Sequence, residues 1–203
     1  YGNSIFMAVS NSGTILTSSD GITWTKTYSS SAELQGVTYA NSTFVAVGNS
    51  GTILTSSDGT NWTSRTSGTS KYLHGVTYEN NTFVAAGNSD TILTSSDGTS
   101  WDNRTSGTSK SFFAVTYGNS TFVAVGFDGT ITSSDGTIIT SSDGITWTER
   151  NSGTSNYLYE ITYANSTFVA VGGSGTILTS SDGITWVART SGTSNWLWGV
   201  TSR

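Results

Sequence analysis

One eight-residue pattern, Thr-Ser-Ser-Asp-Gly-x-x-Trp, occurs five times along the 203-residue chain and constrains its fold more than any other feature. Asp-Gly between two β-prone runs favours a hairpin turn, because Gly adopts a positive φ without a steric penalty. The Ser and Asp side chains can hydrogen-bond the amides of the turn itself, and the Trp supplies a large apolar anchor. We therefore predict five copies of one structural turn, at Asp20 and Trp24, Asp58 and Trp62, Asp97 and Trp101, Asp143 and Trp147, and Asp182 and Trp186.

The Trp residues of these turns are 38, 39, 46 and 39 residues apart, which defines a repeat of about 39 residues. The copy from Leu34 to Arg65 contains four short runs rich in β-branched and aromatic residues, separated by clusters of Asn, Ser and Gly. Such runs are typical of strands joined by tight turns. No segment has the apolar periodicity of an amphipathic helix.

Four short strands per repeat, some of them apolar on both faces, predict sheets packed between similar sheets, as in the blades of a β-propeller. The chain begins just before a second strand (residues 5–9), and residues 196–202 have the sequence of a first strand. We predict that the N- and C-terminal strands pair, which completes one blade and closes the ring. The predicted fold is an all-β, five-bladed propeller of four-stranded blades in a single domain, residues 1–203. An arc cut from a larger propeller is the alternative.

The motif Ser-Ser-Asp-Gly-x-x-Trp resembles the Asp-box repeat, also called the bacterial neuraminidase repeat, whose usual form is Ser-x-Asp-x-Gly-x-Thr-Trp. The motif here has one residue fewer between Asp and Trp. The resemblance extends over essentially the whole chain, and it implies a propeller in which the box is scaffold, away from the face that binds ligand. Asp-box propellers include sialidases, xyloglucan-degrading enzymes, sortilin-type receptor domains and a photosystem II assembly factor, so the resemblance implies no single function.

One repeat is seven residues longer than its neighbours and holds an extra Ser-Ser-Asp-Gly, at Asp135, that no Trp follows. We predict that Asp143 forms the working turn and that residues 127–136 form an enlarged loop between the second and third strands. A slipped tandem duplication and a ligand-binding loop are the two explanations of this insertion.

The composition excludes several kinds of chemistry. The chain has no Cys and one His, His74, which excludes thiolate chemistry, His-based triads and His-rich metal sites. The arginine triad that a sialidase would need has no counterpart, since Arg65, Arg104, Arg150 and Arg189 occupy one repeat position and would be spread around a ring. We predict a protein that is not an enzyme and holds no metal or cofactor. A glycoside hydrolase using Glu33 and Glu160 is the alternative.

The charge and hydropathy of the chain limit its partners. A net charge of −5 and a pI of about 4.5 argue against nucleic-acid binding, which needs clustered Lys and Arg. No apolar run reaches the roughly 18 residues of a membrane helix, so we expect no membrane insertion. We expect a monomer that is secreted or displayed on the cell surface.

Two positions at the start of the first strand vary between repeats, while most of the unit is nearly invariant. The residue between them is always Leu or Phe, which indicates a buried anchor. Strand alternation places both variable positions on the side opposite this anchor, and the first strand of a propeller blade lines the channel. The ligand-binding residues predicted around one channel mouth are Glu33, Gln35, Tyr72, His74, Phe113, Tyr157, Tyr159, Glu160, Trp196 and Trp198.

The functional hypothesis is a binding module that recognises a glycan or a protein through this aromatic mouth. Because the predicted contact residues differ in every blade, one asymmetric ligand fits better than five equivalent ones. A structural or engineered symmetric scaffold without ligand is the second hypothesis, and the glycoside hydrolase is the third.

Overall fold

A computed structural model of the chain describes residues 2–129 and 135–202. The chain divides into two compact units, and each is described by itself. The first unit is Tyr1–Ala85 with Leu93–Asn103, and the second is Ala86–Ile92 with Arg104–Arg203. The single domain expected from the sequence stays a prediction.

The described residues form five antiparallel sheets, which confirms the predicted all-β fold with five blades. Each sheet is built from strands that are consecutive in the sequence. The first sheet contains β1 (Phe6–Val9), β2 (Thr14–Ser18) and β3 (Thr25–Ser29). The second contains β4 (Leu34–Ala40), β5 (Thr43–Gly48), β6 (Ile53–Ser56) and β7 (Thr63–Arg65). The third contains β8 (Leu73–Glu79), β9 (Thr82–Gly87), β10 (Thr91–Ser95) and β11 (Asp102–Thr105).

The fourth and fifth sheets repeat this pattern. The fourth contains β12 (Ser111–Gly118), β13 (Thr121–Phe127), β14 (Gly136–Ser141) and β15 (Thr148–Arg150). The fifth contains β16 (Leu158–Ala164), β17 (Thr167–Gly172), β18 (Ile177–Ser180) and β19 (Val187–Arg189). A short 3-10 turn connects the second and third strands of the second sheet at Asn49–Gly51, and another does so in the fifth sheet at Gly173–Gly175.

The first sheet has three strands in the described part of the chain, whereas the other four sheets have four. Residues 197–201, predicted to be its fourth strand, belong to no described strand. The predicted pairing of the terminal strands is therefore not among the described ladders, and it stays a prediction.

Strands β5, β9 and β13 bury both of their faces, which explains their uninterrupted apolar runs. In β5, Ala46 packs with Ile15 of the first sheet, while Val45 and Val47 pack with Leu73 of the third sheet. A third cluster joins Val123 and its neighbours in the fourth sheet to residues of the fifth. Each fully buried Val or Leu contributes about 1.5–3 kcal/mol. Consecutive sheets within each unit are therefore held together face to face by apolar packing.

The turns between first and second strands explain a recurring Asn in the sequence. Between β4 and β5, Asn41 and Ser42 have φ values of 47° and 57°. Two consecutive positive φ values define the hairpin turn that matches the twist of paired strands, and Asn tolerates this conformation better than most residues. Asn80, Asn119 and Asn165 have the same conformation in their own turns.

Candidate functional site

The five Asp turns are closed by their own side chains. In the second sheet, Ser56 Oγ donates to Asp58 Oδ1 at 2.9 Å and accepts from the Gly59 amide at 2.8 Å. The same carboxylate oxygen accepts from the amides of Thr60 and Asn61, each at 2.8 Å. The other four turns repeat these bonds around Asp20, Asp97, Asp143 and Asp182. Each of these Asp residues therefore accepts hydrogen bonds within its own turn, and the structural role predicted for them stays a prediction.

The Trp of each turn donates a hydrogen bond within the turn and packs its ring against the adjacent sheet. The Trp62 Nε1 donates to the carbonyl oxygen of Gly59 at 3.2 Å, and its ring lies 6.4 Å from the ring of buried Phe44. The five anchors differ in burial, because Trp147 is 8% exposed whereas Trp24, in the three-stranded sheet, is 42% exposed. The turns are therefore chemically alike but unequal in packing.

Hydrogen bonding also fixes the charge state of the turn carboxylates. Backbone amides of Thr23 and Ile22, and then the Ser18 hydroxyl, lower the pKa of Asp20 to about 2. The pKa values of Asp58, Asp143 and Asp182 are lowered chiefly by backbone amides of their own turns, and that of Asp97 chiefly by the Thr99 hydroxyl. These carboxylates accept hydrogen bonds in their ionised form, and their lowered pKa values disfavour protonation. They are therefore poor candidates for proton transfer.

In the long repeat, Asp143 makes the hydrogen bonds of the turn. Ser141 Oγ donates to Asp143 Oδ1 at 2.9 Å, and Trp147 Nε1 donates to the Gly144 carbonyl at 3.0 Å. The predicted loop 127–136 connects β13 to β14, whose ends pair at Phe127 and Gly136. Residues 130–134 of this loop lie outside the described residues.

Most of the aromatic residues predicted for the channel mouth meet in the second unit. The ring of Trp198 stacks on Tyr159 with centroids 4.4 Å apart, and Trp196 lies 5.8 Å from Tyr159 and 5.4 Å from Trp198. Tyr157 meets Tyr159 edge to face at 6.3 Å. Trp196 and Trp198 are 55% and 64% exposed, which is unusual for so large an apolar side chain. Their exposed surface is the outer part of one contiguous aromatic patch.

The patch extends to Phe113 and to a residue that sequence reasoning missed. Phe113 lies 5.6 Å from Tyr159 and stacks on Phe127 at 5.1 Å, with ring planes 10° apart. Phe127 in turn lies 4.6 Å from Tyr157. The position of Phe127 holds Asn49, Asn88 and Gly173 in other repeats, and this divergence was the signal available in the sequence. We call these six residues the aromatic cluster: Phe113, Phe127, Tyr157, Tyr159, Trp196 and Trp198.

A pocket of about 310 Å³ opens beside the exposed edge of the cluster. Gly173, which stands where the second sheet has Asn49, lines the pocket without a side chain. The backbone is otherwise equivalent, since Ser174 and Ser50 have φ values of 52° and 51°. The pocket is lined by Asn156, Tyr157, Tyr159, Gly173, Ser174 and Trp196.

A β-bulge orients the second variable position. Leu158 pairs with Gly172 and Glu160 pairs with Val171, which leaves Tyr159 as the extra residue of the strand. The same shift leaves Gln35 extra in β4 and Phe113 extra in β12. A bulge re-aims the side chain of the extra residue and is common beside binding sites. The variable position therefore coincides with the irregular point of the first strand.

Glu160 is the ionisable residue that the structure places next to Tyr159. Its Oε1 accepts a hydrogen bond from the Ile161 amide at 3.0 Å, and burial raises the pKa of its carboxyl group. Burial, together with the neighbouring Tyr157, also raises the pKa of Tyr159. Other repeats have Gly or Ala at the position of Glu160, so this half-buried carboxyl group is specific to the fifth sheet.

The remaining predicted site residues lie in the first unit. Tyr72 stacks on His74 with centroids 5.9 Å apart, and the Tyr72 hydroxyl donates to Glu33 Oε2 at 3.2 Å. Gln35 is exposed. The structure thus brings Glu33, Tyr72 and His74 together in the first unit, apart from the predicted residues of the second unit. The single mouth formed by all ten, and the catalytic pairing of Glu33 with Glu160, stay predictions.

Comparison with known proteins identifies the fold. No family model matches the chain, and none of the curated proteins matches it. Among solved structures, YCF48 from Cyanidioschyzon merolae is similar over 92% of this chain and 69% of its own, at 16% identity and a TM-score of 0.65. A structure of YCF48 bound to D1 peptide is similar over 93% of this chain and 64% of its own, also at 16% identity and 0.65.

Two further structures extend the comparison. The computationally designed Ika8 protein has a TM-score of 0.69 at 14% identity, covering 96% of this chain and 61% of its own. An ancestral GH74 enzyme has a TM-score of 0.70 at 14% identity, covering 92% of this chain and 29% of its own. The fold is a β-propeller. Identity this low shows the fold alone, and the propeller spans about two-thirds or less of three of these four chains.

One further property follows from the described strands and turns of the propeller. Residues 2–129 and 135–202 contain no helix long and apolar enough to cross a lipid bilayer.

Proposed function

We propose that this propeller is a non-catalytic binding module that holds one protein segment against the aromatic cluster. The observation that carries the proposal is the pair Trp196 and Trp198, which expose more than half of their surface beside a pocket of about 310 Å³. Aromatic side chains offer rigid apolar area, and exposed aromatic clusters are typical of interaction sites. Half-buried Tyr159 contacts both exposed rings and is itself packed against Phe113, so little side-chain entropy is lost on binding.

The comparisons support a protein ligand at a coarse level. Similar propellers include one solved with a bound peptide and one designed repeat protein, so binding and structural roles both occur on this fold. We favour binding because the cluster is absent from the other repeats of the same chain. A scaffold needs no such difference between its blades.

The contacts available in the pocket suit an extended peptide. The exposed indole faces would supply most of the affinity, while Asn156 and Ser174 line the pocket with polar groups that can fix the orientation of a backbone. Because the cluster is built from the fourth and fifth sheets and residues 196–198, we expect one site per chain.

We further propose that the Asp turns are Asp boxes in the sense of the resembling family, and that the protein acts outside the cell or at its surface. The absence of enzymatic activity is also part of the proposal. It is supported by the turn carboxylates, which are all held as hydrogen-bond acceptors.

A glycan is the second candidate ligand. The specific observation in its favour is the exposed stacking surface of Trp196 and Trp198, since aromatic faces also pack against sugar rings. A glycan of this kind would occupy the same surface as the peptide, so both can be tested with the same variants.

The test is a selection of random peptides displayed on phage against the immobilised chain, run in parallel with a glycan array. A selected peptide is then titrated by calorimetry into the wild type, Trp198→Ala and Gly173→Asn. Gly173→Asn fills the pocket with the residue that the equivalent backbone already carries at Asn49. We expect both variants to lose affinity by about tenfold or more, as interface anchors do.

The matched control is Ile22→Ala, which removes an apolar side chain that is 84% exposed in the turn of the first sheet. It should bind as the wild type does. Peptides that bind all variants equally would contradict the site. Ligands found on the glycan array alone would favour the second candidate, and no ligand in either screen would favour the scaffold.

A further inference from the structure

We propose that a second pocket of the propeller binds the tetrahedral oxyanion of a small polar molecule, a phosphate or sulfate ester. The pocket has a volume of about 300 Å³ and lies between the fourth sheet and the Asp turn of the fifth. Its lining shares no residue with the aromatic cluster or with the pocket beside that cluster. The proposal therefore does not depend on the proposed peptide site. The polar groups of the lining include Thr121, Thr140, Ser142, Thr146, Thr148 and Arg150.

The walls of this pocket come from two sheets of the same unit. One wall is the face of the fourth sheet on which Thr140 of β14 lies opposite Thr148 of β15. The turn of the fifth sheet lies against the same face, because a Cβ on Gly183 would be 3.6 Å from the side chain of Thr121. Ile184 follows Gly183 in this turn and forms the apolar wall. The pocket is therefore built by the ordinary packing of two consecutive sheets.

The guanidinium group of Arg150 is held in place before any ligand arrives. Its Nε donates to Thr140 Oγ1 at 2.8 Å, and Thr140 is only 3% exposed. A guanidinium group carries five N–H donors, so this bond leaves the two Nη groups with four. Arg150 itself is half-buried and lines the pocket. A planar fork of donors is thus oriented in the pocket at little further cost in side-chain entropy.

The positive charge of Arg150 is not neutralised within the described residues. In residues 2–129 and 135–202 the ion pairs join Lys110 to Asp128 and to Glu149, and Arg150 takes part in neither. Glu149 precedes Arg150 in β15, so strand alternation directs it to the opposite face of the sheet. The carboxylates of both adjacent Asp turns accept amides of their own turns and do not line the pocket. The charge of the pocket therefore favours an anion.

The hydroxyl groups around Arg150 favour a tetrahedral oxyanion over a carboxylate. A carboxylate has two oxygens, and an arginine fork satisfies both of them. A phosphate or sulfate group has further oxygens, which can accept from the hydroxyls of Ser142, Thr146 and Thr148. A volume of about 300 Å³ is at the lower end of the range of small-molecule pockets. The pocket therefore has room for the rest of a small polar molecule beside the oxyanion.

The other repeats share the anchored arginine but differ in what surrounds it. Arg65 in the second sheet donates from Nε to a Thr hydroxyl at 2.8 Å, as Arg150 does. The turn facing Arg65 has Thr99 in place of Ile184, and the Thr99 hydroxyl donates to the Asp of its own turn. The third repeat has Asp102 where the fourth has Thr148. An Asp at this position therefore fits the strand, and it would add a carboxylate to the lining of the pocket.

The test is a titration of the chain followed by proton–nitrogen NMR at constant ionic strength, so that general charge screening does not change. The probes are glucose 6-phosphate, glucose 6-sulfate, inorganic phosphate, glucose and acetate. Both esters should shift the amide signals of Thr146, Thr148 and Arg150 in a saturable way, and the tighter ester identifies the oxyanion. Inorganic phosphate should bind more weakly than the esters, and glucose and acetate should shift these signals little.

Three variants of the pocket and one control decide the outcome. Arg150→Gln should weaken the tighter ester by about tenfold or more, and Arg150→Lys should weaken it less, because it keeps the charge and loses the fork. Thr148→Asp should weaken it by about tenfold or more while it keeps the bond to Thr140 and the melting temperature of the wild type. Lys71→Gln removes an exposed positive charge elsewhere and should bind as the wild type does.

Three results would overturn the proposal. One is the absence of a saturable shift with either ester. Another is acetate that binds as tightly as the esters. The third is a Thr148→Asp protein that is folded and binds the tighter ester as the wild type does.

Discussion

The indole ring of Trp198 stacks on the phenol ring of Tyr159, with centroids 4.4 Å apart and planes inclined by 27°. Tyr159 occupies the bulge of β16, and Trp198 belongs to a segment outside the described strands. The Tyr159 ring is thus positioned by the fifth sheet, and the Trp198 ring by its contacts with Tyr159 and Trp196. This arrangement leaves the outer indole face available for a ligand.

Removal of the outer ring should separate binding from folding. Because Trp198 is 64% exposed, Trp198→Ala should leave the melting temperature within a few degrees of the wild type while it weakens the selected peptide. Tyr159→Ala should weaken binding and lower the melting temperature as well, because it removes the support of both Trp rings. Calorimetry should give a stoichiometry near one. About five equivalent sites would contradict a cluster confined to one unit.

The turn Trp residues should differ in their contribution to stability. Trp147→Ala should lower the free energy of unfolding by about 3–5 kcal/mol, as the loss of a buried aromatic side chain does. Trp24→Ala should cost less, about 1–2 kcal/mol, because 42% of that side chain is already in water. Urea denaturation of the two variants measures the difference. Equal losses would show that the exposed Trp24 is buried in solution, for example by assembly.

The two adjacent serines of a turn should behave in opposite ways. Ser56→Ala removes the buried hydroxyl that donates to Asp58 and accepts from the Gly59 amide, and should cost about 1–3 kcal/mol. Ser57→Ala is the matched control, since Ser57 is exposed, and it should change stability little. Chemical denaturation compares both variants with the wild type. A large loss in Ser57→Ala would contradict the assignment of roles within the turn.

The extra Ser-Ser-Asp-Gly should contribute nothing to the stability of the fold. Asp143→Ala removes the acceptor of the Ile145 and Thr146 amides and should lower the denaturation midpoint clearly. Asp135→Ala should leave the midpoint unchanged, because no Trp anchor follows Asp135. Equal shifts in the two variants would mean that both turns are structural.

Glu160 should make the fold less stable as the pH rises. Its pKa is raised in the folded protein above the ordinary value of 4.5, so the folded chain binds more protons than the unfolded chain in the window just above that value. The free energy of unfolding therefore falls as the pH rises through this window. Glu160→Gln should be more stable than the wild type at pH 7 and lose this advantage near pH 4.

Asp20→Asn is the control of opposite sign. The folded-state pKa of Asp20 is lowered to about 2 from 3.8, so its carboxylate stabilises the fold above pH 4 and loses this effect as the pH falls toward 2. Urea midpoints at pH 7, 5 and 4 distinguish the two variants. A wild type that is the more stable at pH 7 in the Glu160 comparison would contradict the raised pKa.

The sequence by itself determined the turns, the strands and the number of sheets. A turn such as Ser56 to Trp62 is closed by hydrogen bonds within seven residues, so its donors and acceptors can be identified from a short stretch of sequence. The anchor Leu34 and the apolar run of β5 were likewise predictable, because a strand that buries both faces has little freedom in composition. Repetition strengthened each of these inferences.

The tertiary structure alone decided which variable residues meet. Phe127 joins the aromatic cluster through contacts with Phe113 and Tyr157, which lie on other strands, and no local pattern encodes such a contact. Gly173 lines the pocket without a side chain, and Tyr159 stands at a bulge in the ladder of its strand. Hydrogen bonds within a turn follow from local sequence, whereas ring contacts and empty space follow from how separate strands pack.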